Sequence, residues 1–280
     1  MNLIRKGLNV CIQKIRLSLT DYRIWIIFAV VAIFIFTYER DIFDYAVNIN
    51  AKVTPWLFPF LNGQKFMRII LLLGPVLMFC NAPFINSSHI SIIMRAGRSA
   101  VTLGNIIYIV FSSVLYYLFI IIAGILPFVL SISWTLEWGD AIGTLSMYSS
   151  ENVIAIISNK ITTYFTPLQA MWFTFILSVI NSVFLGLLIY ALNSITKTRF
   201  MGTFMAVFFI LCEPLSRNFV NLMWFSPVSW SNIDYLSISK SDNLPTFYFA
   251  ILSYSLIIIL LLVIIALSNK HSDIKILEKG

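Results

Sequence analysis

The sequence predicts an all-α polytopic membrane protein with six transmembrane helices. Three observations carry that prediction. Six apolar runs lie at Tyr22–Tyr38, Met67–Phe84, Gly104–Ser133, Leu168–Leu192, Phe200–Val220 and Thr246–Ser268, each near or above the ~20 residues that a helix needs to cross a hydrocarbon core of about 30 Å. Hydrophobic residues make up 59% of the 280 positions and charged residues 11%, against roughly 25% charged in soluble domains. The basic residues also fall unevenly among the segments that join the runs.

That unevenness explains the net charge of +7 as topology and gives no reason to invoke nucleic acid. With the N-terminus inside, the inner segments hold twelve Lys and Arg, from Arg5 to Lys279, against Asp21, Asp273 and Glu278. The remaining seven cations, Arg68 and Arg217 among them, face nine acids on the outer side or in the membrane. The positive-inside rule therefore predicts a multi-pass membrane protein with both termini cytoplasmic. The first run is long enough to span and no small-residue cleavage signal follows it, so it reads as a retained helix and not a signal peptide.

Ahead of it, Ile4, Leu8, Cys11, Ile12, Ile15 and Leu19 recur at helical spacing, with Arg5, Asn9, Gln13 and Arg16 opposite. This is the pattern of an amphipathic helix lying in the membrane interface. A helix packed on a soluble partner is the alternative. The chain thus divides into an interfacial helix over 1–20, a six-helix bundle over 22–268 and a cytoplasmic tail over 269–280, in one domain.

The outer loop from Glu39 to Phe66 is amphipathic and aromatic and is expected to rest on the outer leaflet. A second outer loop, Trp134 to Pro167, includes a helix-like stretch from Asn152 to Ile161. Six of the seven tryptophans, all but Trp25, fall at or near that boundary, as an aromatic belt requires. Gly74-Pro75 and Pro127 mark expected kinks. The third run, about thirty residues long, exceeds what the bilayer needs, so it tilts or extends into the cytoplasm. In the fourth, Ser178, Ser182 and Gly186 recur every four residues beside Asn181, which lets another helix approach closely. That neighbour belongs either to this chain or to another subunit.

The fifth run is interrupted by Glu213-Pro214 and Arg217, and aromatic segments follow from Phe219 to Trp230. A helix that stops early and gives way to re-entrant segments before the sixth helix fits this pattern, because broken backbone is tolerated where protein or a water-filled cavity covers it. Glu213 and Arg217 are the candidate translocation-path residues. An ionised carboxylate there should face a cavity, pair with Arg217, or be protonated, unless the helix simply ends at the outer surface.

His89 and His271 have no Cys or carboxylate cluster at metal-ligand spacing, and Cys11, Cys80 and Cys212 are scattered. Hydrolase motifs and the G-x-x-x-x-G-K-[ST] phosphate loop are absent. The expectation is therefore no enzyme and no cofactor on this chain. Any ATP and magnesium belong to a partner.

Such a partner needs a docking point, and the largest inner loop offers one. Ser87 to Gly97 reads as a short helix with Ile90, Ile93 and Met94 on one face, ending at Gly97 between Arg95 and Arg98. A surface loop placed by the positive-inside bias explains the two arginines equally well.

The runs N-A-P-F-I (Asn81 to Ile85), R-A-G-R (Arg95 to Arg98) and G-N-I-I-Y-I (Gly104 to Ile109) resemble segments of a subgroup of bacterial ABC-2 type permeases. E-W-G-D (Glu137 to Asp140) and F-S-P-V-S-W (Phe225 to Trp230) resemble further segments of that family. Asn81 replaces an acid of the family pattern, and Asn105 a glutamine. The resemblance implies the six-helix subunit of a type V ATP-binding cassette exporter, with a cytoplasmic coupling helix between helices two and three. It also implies separate ABC ATPase subunits and a second permease subunit, identical or related, as partners. The cargo implied is amphipathic or hydrophobic, with antimicrobial peptides and antibiotics in that class. A stand-alone membrane transporter and a non-transporting immunity-type membrane protein are the rival readings.

Overall fold

The computed structural model describes residues 3–84, 96–147, 156–216, 219–237 and 243–271. Within them the chain is helical, with two isolated bridges, Val53 to Ile132 and Ser237 to Thr246, as its only extended pairings. The helices are α1 (Leu3–Thr20), α2 (Tyr22–Asn48), α3 (Phe58–Gly63), α4 (Lys65–Phe79), α5 (Arg98–Ile125), α6 (Gly139–Met147), α7 (Asn159–Tyr164), α8 (Pro167–Thr196), α9 (Met201–Ser216), α10 (Val220–Met223) and α11 (Phe247–His271). Among the described residues three spans are long and apolar enough to cross a membrane: Arg98–Phe128, Pro167–Thr196 and Phe247–Asn269. A fourth is reached if α1 and α2, bent by 70° where they meet, count as one broken span. The apolar helices α4 and α9 have 15 and 16 residues.

Helix α8 lies at the centre, packed on α4, α5, α9 and α11. Its small residues are used within the chain: Ser178 accepts from Asn62 Nδ2 at 2.9 Å, Ser182 donates to Ser113 at 2.8 Å, and Gly186 gives room to Ile109 and Phe79. A helix at the middle of a bundle meets neighbours on most sides, and small polar residues on it can then bond across the interfaces.

Three local results extend or differ from the sequence reading. First, α2 runs ten residues beyond Tyr38, to Asn48, where a loop is expected. Glu39, Ile42, Phe43 and Ala46 continue its buried face, while Arg40 and Asp44, one turn apart at 3.5 Å, pair on the exposed one. Second, the face of α1 that packs on α5 is Gly7, Val10, Cys11 and Lys14. Gly104 allows this, since a Cβ there would stand 2.8 Å from the Gly7 carbonyl and 2.7 Å from Val10. Ile4, Leu8, Ile12 and Leu19 remain exposed, an apolar stripe that the fold itself does not use. Third, of the stretch Asn152 to Ile161 the described part is helical only from Asn159; the segment 152–155 lies outside the described residues.

Pro75 sits inside α4 and has no N–H for the Leu71 carbonyl. Tyr116 of α5 supplies the missing donor, its hydroxyl 2.9 Å from that oxygen. Gly74 makes the approach possible, because any Cβ there would overlap the tyrosine ring. At Pro127 the α-helix gives way to a single 3-10 turn, Leu126–Phe128.

Candidate functional site

The apolar stripe of α4 begins with a charge. Arg68, Leu71, Leu72, Pro75, Val76 and Phe79 are all buried on one helical face, so geometry drives the guanidinium into the core. The stripe of α9 ends in the opposite charge: Gly202, Ala206, Ile210 and Glu213 share its buried face. The two meet, with Arg68 Nε 3.3 Å from Glu213 Oε1 and the side chains only 1% and 0% exposed.

The rest of the guanidinium holds the chain that follows α9. Arg68 Nη2 donates to the Val228 carbonyl and, at 3.0 Å, to Ser231 Oγ, while Nη1 reaches the Asn62 carbonyl at 3.4 Å. This segment, a 3-10 turn over Pro227–Ser231, is buried at every residue. Pro227 starts it, fixing φ where no N–H is needed. Ser229 shares a 2.7 Å hydrogen bond with Ser216, at the end of α9. From α11, the Tyr254 hydroxyl reaches the Pro227 carbonyl at 2.6 Å and Asn181 Oδ1 at 3.2 Å. Trp230 Nε1 closes the loop on the Met223 carbonyl at 2.8 Å.

Chemically this is a desolvated ion pair inside a shell of carbonyls and hydroxyls. Burial costs each ion several kcal/mol, offset only if the geometry and added hydrogen bonds are good. Here the guanidinium faces a carboxylate, two carbonyls and a hydroxyl. The Tyr117 hydroxyl and Asn181 Nδ2, both buried, make no hydrogen bond in the structure, leaving donor capacity in the polar core.

A second polar layer lies at the bundle end where α1 packs. Asn105 Nδ2 donates to the Pro83 carbonyl and to the Tyr190 hydroxyl, both at 3.2 Å. Asn193 Nδ2 donates to the Ala82 carbonyl and its Oδ1 accepts from the Gly202 N–H, each at 2.8 Å. Asn269 Nδ2 joins from α11, 2.8 Å from Thr102 and 3.3 Å from Tyr190. Two amides thus grip the turn after α4, and Phe84 at its end packs edge-on against Tyr108 at 5.2 Å. Lys14 of α1 lies over the other side of that contact, its Nζ 4.4 Å from the Phe84 ring centroid. Burial pulls the Lys14 amine down to about 7 and pushes the neighbouring Cys11 thiol up.

Of the residues nominated from sequence, Glu213 lies in the first polar layer, and the side chain placed against it is Arg68. Arg217 lies outside the described residues. So do Ile90, Ile93, Met94 and Arg95 of the expected docking helix. Gly97 and Arg98 are described: Gly97 takes φ of +87°, open to glycine without strain, and α5 begins at the exposed Arg98. Arg68 was missed as a site residue. Its signal was the helical register 68-71-72-75-76-79, which places it on the core face. Asn105 was singled out for standing where glutamine is expected; its amide still reaches the turn.

Among the described residues no three His, Cys, Asp or Glu side chains gather as a metal site would require. No family model, no curated protein and no solved structure matches this chain.

Proposed function

We propose that this protein is the membrane-spanning permease subunit of an ATP-driven exporter, six-helical and of the ABC-2 type, working with separate ATPase subunits and a second permease. The observation that carries the reading is the buried backbone between α9 and α11. Pro227–Ser231 stays inside a helical bundle and is held there by Arg68, Ser216 and Tyr254. Irregular backbone at membrane depth is tolerated only under such cover, and re-entrant segments ahead of the last helix are what the family resemblance implies. Three further features support it. The apolar helices α4 and α9 are available beside the three long spans and α2, and in this reading each of the six crosses the membrane. The stripe on α1 is free for lipid. The segments Asn81–Phe84 and Gly104–Tyr108, which carry the resemblance, are bonded to each other through Asn105 and Tyr108.

In this reading the cargo is amphipathic or hydrophobic and crosses a bacterial plasma membrane from a cytoplasm that holds both termini. The segment from Ser87 to Gly97 docks on the ATPase, and ATP bound by that partner drives alternate exposure of a path between paired permeases. A ligand shifts such an equilibrium only by binding the two states differently. The test is capture of the tagged protein from its native membranes in mild detergent. An ATPase with a phosphate-binding loop should co-purify, and its hydrolysis should respond to the permease. A protein captured alone, with export intact in vesicles lacking ATP, would instead establish the stand-alone transporter, a rival that the intramembrane Arg68–Glu213 pair keeps in view.

A further inference from the structure

A second buried carboxylate has no cation opposite it. Glu39 of α2 is 2% exposed, its Oε2 makes no hydrogen bond, and among the described residues no Lys or Arg forms an ion pair with it. It lines a cavity of about 10 Å³ between α2, the 53–61 segment and the last turns of α5, room for one water-sized group. Apart from Glu39, Thr54 is the sole polar side chain in that lining. The rest is apolar, with Phe43, Leu57, Phe58, Ile120 and Ile125 foremost. Gly124 completes it: a Cβ there would come within 2.6 Å of Glu39 Oε1, so glycine is what leaves the carboxylate its place.

We propose that this cavity is a binding site for the primary ammonium group of a cationic amphiphile, with Glu39 as the counter-ion. Size, charge and lining each narrow the choice. An –NH₃⁺ group is about as large as water, carries the charge that an unpaired buried carboxylate lacks, and offers three donors. A divalent metal needs six or more oxygen ligands or a set of several side chains, which one carboxylate and one hydroxyl do not supply. The aromatic and aliphatic walls, Phe43 and Phe58 among them, suit the methylenes next to the nitrogen. Thr54 Oγ1 donates to the Trp138 carbonyl at 2.9 Å and keeps a lone pair to accept. The site sits beside exposed apolar residues at the end of α5, Leu126, Val129 and Leu130, where an alkyl tail can lie along the membrane-facing surface.

As a statement about cargo this rests on the exporter reading; as a binding site it does not, so equilibrium binding and ATPase capture fail separately. The experiment is equilibrium dialysis of radiolabelled dodecylammonium against the full chain in nanodiscs of zwitterionic lipid, with empty nanodiscs as background. Saturable binding is expected, weakened about tenfold or more in Glu39→Gln, the loss that follows from removing a charged hydrogen-bond partner. Should Glu39→Gln fail to fold, Gly124→Ala keeps the acid but pushes it from its place, and the same weakening is expected. Dodecanol should not compete, and dodecyltrimethylammonium, too bulky for the cavity, should compete poorly. Equal competition by dodecanol would make the cavity an apolar slot and overturn the proposal. Undiminished binding in the folded Glu39→Gln or Gly124→Ala protein would overturn it too.

Discussion

Arg68 and Glu213 have unequal stakes in their pair, and the inequality can be measured. Arg68→Met keeps the length of the stem but removes the guanidinium that faces Glu213, and with it the donors to the Val228 and Asn62 carbonyls and to Ser231. Breaking a buried pair from one side costs about 3–5 kcal/mol, which raises the unfolding constant roughly 150- to 5,000-fold. Glu213→Gln retains the shape of the side chain and leaves Arg68 its carbonyl partners. Its cost should be about 1–3 kcal/mol, since the guanidinium keeps those acceptors and loses only the charge that faces it.

The double variant Arg68→Met, Glu213→Gln should cost less than the sum, because a neutral amide at 213 has no charge for the missing guanidinium to offset. Reversible unfolding in mixed micelles of a mild detergent and dodecyl sulfate, followed by tryptophan fluorescence, reads all four proteins. Trp230, buried in the segment that Arg68 holds, reports on the relevant region. Additivity to within about 0.5 kcal/mol, the behaviour of independent sites, would refute the claim that the pair organises this core. Export assays on the same variants should show Glu213→Gln assembled but impaired. Wild-type export would leave the carboxylate a purely structural role.

Tyr116→Phe should destabilise by about 1–3 kcal/mol, the cost of a buried acceptor losing its donor, since the Leu71 carbonyl is denied its helical partner by Pro75; the same unfolding assay checks it. Lys14 is held at about 7, below its unfolded value, so between about pH 7 and pH 10 the unfolded chain binds the extra proton and stability rises with pH. Thermal unfolding across that window should show the rise in the wild type and its flattening in Lys14→Met. The double change Arg95→Ala, Arg98→Ala should release the ATPase or uncouple hydrolysis from export, as loss of buried interface charges at about 2–5 kcal/mol each implies. Unchanged capture together with unchanged export would reduce both arginines to topology signals.

What was legible in the sequence follows from which forces leave a local trace. Apolar runs and helical periodicity are local, and they located α2, α4, α5, α8, α9 and α11. The stop at Glu213-Pro214 is local as well: α9 ends at Ser216. The partner of Glu213 is not local, because Arg68 lies 145 positions earlier in the chain and only the register of α4 hints that it points inward. Which residues of α1 pack on α5 left no local trace either: the stripe of Ile4, Leu8 and Ile12 stays exposed, and close approach to α5 is decided by Gly7 and Gly104, which have no side chain to count. At Glu39 the charged run Glu39-Arg40-Asp41 reads as a helix end, yet burial of one acid and pairing of Arg40 with Asp44 carry the helix on.

The two polar layers are joined by two helices. Arg68 opens the core stripe of α4 and Phe79 closes it just before the turn at Ala82 and Pro83; Gly202 begins the core stripe of α9, bonded to the Asn193 that grips the same turn, and Glu213 ends it. Each stretch spans eleven residue steps from end to end, about 16 Å at the helical rise. Both members of the buried pair therefore sit at the far ends of equal struts whose near ends meet at Ala82 to Phe84, the residues that lead into the segment expected to dock on an ATPase. A displacement of that turn reaches the pair from both sides. Pro75 lies within the α4 strut and Pro214 one residue past the end of the α9 strut; at a proline a helix lacks one hydrogen bond and bends most cheaply. An ion pair is a suitable element at that position, since its attraction falls steeply once water separates the charges: a small shear of α4 against α9 would weaken the Arg68 contact and loosen the buried Pro227–Ser231 turn together. Coupling of this kind requires an element with two arrangements and not merely a chain of contacts. The Arg68-held turn, buried at every residue yet fixed by a handful of hydrogen bonds, is the element in this fold best built to have them.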